Sequence, residues 1–119
     1  FRGRSHGSGW VASAAALTET FETNLAAYLA FALATSTDDA VRNGREAKEV
    51  AERALRLDPD NPVILSALAA AHAENGDFNA AVTAVERALG LSRQRGDAAL
   101  IQVSEQRLAL FKEQKPLRQ

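Results

Sequence analysis

At 119 residues the chain is one domain's worth, and its 46% apolar content can fill a modest core. Its 25 alanines and 14 leucines, against 9 valines and isoleucines, point to helices and away from a β-sandwich or barrel. A net charge of −1 leaves no basic footprint for nucleic acid, and the lack of cysteine excludes a disulfide scaffold, thiol catalysis and cysteine-ligated zinc.

Phe1 to Gly9 mixes Arg, Gly, Ser and His with no apolar period, so residues 1–10 read as a flexible tail or tag remnant. With no Met in the chain, a fragment or a processed product is expected. The helical domain is expected over residues 11–119. From Trp10 to Thr35 there is no Gly or Pro, and Leu17, Phe21, Leu25, Leu29 and Leu33 recur at i+4. The most apolar run, Leu25 to Ala34, is ten residues, about half of what a bilayer needs, so no membrane insertion is expected. No secretory signature marks a compartment, and cytoplasm and periplasm both stay open.

A loop follows over Thr35 to Asn43, and Asn43 with Glu46 resembles a capping box for the next helix. Asp58-Pro59-Asp60-Asn61-Pro62 is a turn, with Asn61 as N-cap and Pro62 at the first helical position. Ile64, Leu65, Leu68, Ala69 and His72 then recur at helical spacing. Asn75-Gly76-Asp77 stops that helix and caps another, with Phe78, Ala81, Val82, Val85, Ala88 and Leu89 on its inner face. Gly96-Asp97 restarts a last helix over residues 98–114, with Leu100, Val103, Ser104, Leu108 and Phe111 inward. Lys112 to Gln119 is polar, and Pro116 blocks any continuation.

The chain repeats itself. Ala51 to Leu57 reads AERALRL and Val85 to Leu91 reads VERALGL, five identities in seven at an offset of 34 residues, which Ala47 and Ala81 share. These residues resemble the tetratricopeptide repeat (TPR) family, whose pattern is W-x2-L-G-x2-Y, then A-x3-F, then A, then P. One unit reads Leu65-x2-Leu68-Ala69-x2-His72, then Ala81-x3-Val85 and Ala88. The other reads Ala26-x2-Leu29-Ala30-x2-Leu33, then Ala47-x3-Ala51, Ala54 and Pro59. The resemblance implies an all-α solenoid fragment. Two repeats would span about residues 23–61 and 62–95, with a C-terminal capping helix and an N-terminal helical extension. Two departures stand out: the Thr35–Asn43 loop is five residues too long, and Arg93 replaces the second terminal Pro, so that helix can run to about Arg95.

Nothing in the sequence assembles a catalytic constellation, and no cofactor or metal is expected. His6 falls in the tail, and His72 takes the repeat's tyrosine slot. Ser13, Ser66, Ser92 and Ser104 lack a His–acid pair, and no phosphate-binding glycine motif occurs. Asp38-Asp39 reads as a solvated turn. Arg45, Glu49, Glu52, Arg53 and Arg56 read as a solvated convex face with i,i+4 pairs.

The resemblance therefore implies a non-catalytic interaction module holding a peptide or partner helix in its concave groove. By the repeat register, Asn24, Ala27, Tyr28, Phe31 and Thr35 face that groove from the first unit. Ser66, Ala67, Ala70, Ala73 and Glu74 face it from the second. Members that bind chaperone tails place Lys, Asn and Arg there to clamp a terminal carboxylate. Here alanine prevails, which favours an apolar ligand anchored by Tyr28 and Phe31. The alternatives are a regulatory or docking fragment of a larger enzyme, and a self-assembling spacer. The overhanging apolar residues Trp10, Val11, Leu17 and Phe21 need cover. The helix either breaks near Thr18–Thr23 and folds back, or pairs with a second copy; a homodimer through this helix is the favoured expectation.

Overall fold

The computed structural model describes residues 22–118, which form five α-helices and no strand. Helix α1 covers residues 22–35, α2 Gly44–Leu57, α3 Pro62–Glu74, α4 Phe78–Arg95 and α5 Ala98–Lys112. The expected tail over residues 1–10 and the extension up to Phe21 lie outside the described residues.

Each of the last four helices starts on a side chain that satisfies free backbone N–H groups. Asn43 Oδ1 accepts from Glu46 N at 3.0 Å, and Asn61 Oδ1 from Val63 N at 2.9 Å. Asp77 Oδ1 accepts from Ala80 N, and Asp97 Oδ1 from Leu100 N, both at 3.1 Å. Helix α4 stops at Gly96, whose φ of +67° suits a residue without a Cβ. Helix α5 stops two residues before the expected Gln114, because Gln114 itself turns left-handed at φ +60°.

Helices stack in sequence order, α2 on α3, α3 on α4 and α4 on α5. Helix α1 joins α2 and α3 through a cluster of Ala27, Ala30, Ala51, Ala54, Ile64, Ala67 and Leu68. Small side chains at these crossings let the backbones approach closely without voids. Helix α3 is the centre of the stack: ten of its thirteen residues are buried, on every side. Helix α2, at the surface, buries only Gly44, Ala47, Ala51 and Ala54, a single stripe at helical spacing.

Two irregular segments meet at the end of α3. In the long loop after α1, Asn43 N donates to Leu33 O at 2.6 Å and Arg42 Nη1 to Ser36 O at 2.9 Å. Arg42 also pairs with Asp39, and its Nε reaches Glu74 Oε2 at 3.1 Å. From the other side, the segment after α5 folds back over the stack. Leu117 packs against Ala34, Ala70 and Ala71 on one side and the cluster around Phe111 on the other. Arg118 Nη1 then meets Glu74 Oε1 at 2.7 Å. One carboxylate thus ties together the loop, α3 and the C-terminal segment.

Candidate peptide-binding groove

Helices α1, α3 and α5 leave a groove of about 340 Å³ between them. Helix α1 contributes Ala27, Tyr28 and Phe31, helix α3 contributes Val63, Ser66 and Ala67, and helix α5 contributes Leu100, Val103 and Arg107. The alanines are buried and form the floor, which is why the concavity exists at all. Tyr28 stands at the edge with 65% of its surface exposed. Phe31 is half-buried, with one side against the core alanines.

Among the described residues one cation lines the groove. The Arg107 guanidinium lies over the Phe31 ring, 4.7 Å from its centroid, and donates to Ser66 Oγ. Burial pulls its pKa below the ordinary arginine value.

Tyr28, Phe31, Ser66, Ala27 and Ala67, which the register aimed at the concave face, come together here. The other candidates do not. Asn24 Oδ1 accepts from Asn61 Nδ2 at 3.4 Å, so it supports the cap of α3. Thr35 is buried and donates from Oγ1 to Phe31 O at 2.7 Å. Ala73 is buried in the Phe111 cluster, and Ala70 lies in the cluster that Leu117 packs against. Glu74 is occupied by Arg42 and Arg118. Leu117 and Arg118 thus occupy the part of the concave face that Ala70, Ala73 and Glu74 were expected to open.

Sequence reasoning missed Val63, Leu100, Val103 and Arg107 as groove residues. A signal was present: the same 34-residue step that relates the two repeats carries Ser66 to Leu100 and Ala73 to Arg107. Helix α5 therefore stands in register as the first helix of a third unit.

Among the described residues no cluster of three or more His, Asp or Glu is placed to hold a metal, and no helix is long and apolar enough to cross a membrane. His72 is half-buried on α3. Burial lowers its pKa, while the Asp77 carboxylate acts in the opposite direction.

Comparison with protein-family models gives a tetratricopeptide repeat match over residues 40–102, more than half of the chain. The chain belongs to the tetratricopeptide repeat family. No curated protein and no solved structure matches it. The matched residues take in α2, α3, α4 and the start of α5, and so include the α3 wall of the groove. TPR units are in general non-catalytic modules of protein–protein interaction, and this all-α helical stack has their architecture.

Proposed function

We propose that this TPR domain is a non-catalytic module that holds an apolar peptide or partner helix in the α1–α3–α5 groove. The observation that carries the reading is Tyr28, a largely exposed aromatic ring beside a concave, mostly apolar floor. Tyrosine is among the residues enriched at binding hot spots, and the apolar concavity beside this ring gives a partner a surface on which to bury it. Replacing Tyr28 and Phe31 together by alanine is expected to weaken ligand binding by about 1–4 kcal/mol. Isothermal titration with peptides selected against the wild-type chain reads this loss, and circular dichroism checks that the helices persist. Unchanged affinity in a folded double variant would place the site elsewhere, for example on the loop between α1 and α2.

A second reading, self-association through α1, is favoured by a different surface. Leu25 and Leu29 of α1 are each 52% exposed, and Leu57 of α2 is 57% exposed. Leu29 and Leu57 flank a shallow furrow floored by Ala26, Val50 and Ala54. Contiguous apolar surface of this kind calls for cover. Sedimentation equilibrium is expected to give a species near twice 12.7 kDa, which Leu25→Glu with Leu29→Glu reduces to monomer. A wild-type monomer at high micromolar concentration overturns this reading and leaves the groove untouched.

A further inference from the structure

The charge inside the groove specifies what the ligand must bring. Arg42, Arg87, Arg93 and Arg118 each reach a carboxylate within the chain. Among the described residues Arg45, Arg53, Arg56 and Arg95 reach none, but they stand exposed to water, which solvates them. Arg107 is the exception to both arrangements. It is partly withdrawn from water, and among the described residues no carboxylate pairs with it. Among the described residues no acidic side chain lines the groove. A guanidinium offers five N–H donors in a fixed fork. Here the Ser66 hydroxyl accepts from it and the Phe31 ring holds its face. These two contacts fix the orientation without neutralising the charge. A partly desolvated, oriented guanidinium beside apolar walls is prepared for a carboxylate arriving from outside.

Building on the groove as the ligand site, we propose that it selects an apolar segment carrying one aspartate or glutamate, whose side-chain carboxylate pairs with Arg107 while its apolar neighbours lie against Tyr28 and Val103. Pairing removes the unfavourable feature of the empty groove, a cation partly cut off from water. Approach of an apolar ligand without an acid would bury that cation further and unpaired, so the arginine also discriminates against purely hydrophobic segments.

The test uses the full chain and a random dodecapeptide display library. Enriched sequences are expected to carry one Asp or Glu within a few residues of an aliphatic or aromatic anchor. A synthetic version, amidated at its C-terminus so that the side chain supplies the only carboxylate, is then compared with its Asp→Asn counterpart. The amide is expected to bind about tenfold more weakly, the usual scale for a charge-assisted pair. Arg107→Gln is expected to lose the same factor for the acidic peptide and to show no further loss with the amide. Arg107→Lys, which keeps the charge but not the fork stacked on Phe31, is expected to bind the acidic peptide more weakly than wild type and more tightly than Arg107→Gln; if Arg107→Gln does not fold, a smaller amide penalty on Arg107→Lys than on wild type carries the test. Enriched peptides that need Tyr28 and Phe31 but carry no acid overturn the proposal and leave the groove reading standing. So does an equal amide penalty on wild type and Arg107→Gln. Peptides indifferent to Tyr28→Ala with Phe31→Ala, or no enrichment at all, overturn both.

Discussion

Phe111→Ala is expected to lower the stability of the domain by about 3–5 kcal/mol, the range for a large aromatic deleted from a packed core. Phe111 is fully buried near the end of α5, among Ala69, Ala73, Ala81, Ala84 and Val85. Its neighbours decide the size of the effect. The buried part of that cluster is mostly alanine, which has no rotamers with which to fill a void, while Phe78, Val82, Leu108, Leu110 and Leu117 packed around it can close part of the space. The loss therefore falls within that range rather than at its top. A domain of this size has only about 5–15 kcal/mol in total, so a large fraction of molecules would unfold on mild warming. Phe111→Leu, which refills most of the space, is expected to cost less than half as much. Urea unfolding followed by circular dichroism measures both. An alanine variant within 1 kcal/mol of wild type would show that α5 is dispensable to the core.

Two glycine-to-alanine substitutions are expected to act with opposite signs. In a helix the change ordinarily stabilises by about 0.5–1 kcal/mol, through the greater freedom that glycine loses on folding. Gly90, on α4, has open space where a Cβ would stand, and Gly90→Ala is expected to show that gain. Gly44, at the start of α2, is different. A Cβ there would stand 2.8 Å from Glu74 Cγ and would also meet the Asn75 side chain. Neither neighbour yields freely. Glu74 is held by Arg42 and Arg118 at 3.1 and 2.7 Å, and Asn75 Nδ2 donates to Gly44 O at 3.1 Å. Relieving the clash breaks at least one of these contacts. Gly44→Ala is therefore expected to destabilise by about 1–3 kcal/mol, despite the better helix former. Thermal unfolding of the two variants beside wild type shows the signs directly. A stabilised Gly44→Ala would mean that the Glu74 contacts rearrange without cost.

The parts of this fold written in local residues were legible in the sequence. Asn61-Pro62, Asp77 and Gly96-Asp97 are caps and stops whose chemistry acts over three or four neighbours, and each marks a helix end in the structure. The 34-residue identity carried the family. Contacts made by the chain returning on itself were not legible. Glu74 sits at a groove position by register, but its partners Arg42 and Arg118 arrive from the loop after α1 and the segment after α5. Leu117 is one apolar residue in a polar stretch, with no periodicity to announce that it is half-buried. Arg107 was not legible because it stands beside the inward stripe of α5 rather than on it, where a charged side chain ordinarily faces water. Tyr28 and Phe31 were found because an aromatic at a concave register position is conspicuous in an alanine-rich helix.

The fold-back of Leu117 and Arg118 changes how the stack comes apart. In a linear array the terminal helix touches one neighbour and peels off first, followed by the next. Here α5 is followed by a segment fastened two layers back, on α3, through the same carboxylate that holds the loop ahead of α2. Releasing α5 from α4 and from its contacts with α3 and α1 still leaves it tethered until Leu117 lifts and the Arg118 pair opens. Peeling from that end thus requires two separate places to give way, and the array behaves there less like an open zipper than like one whose slider is pinned.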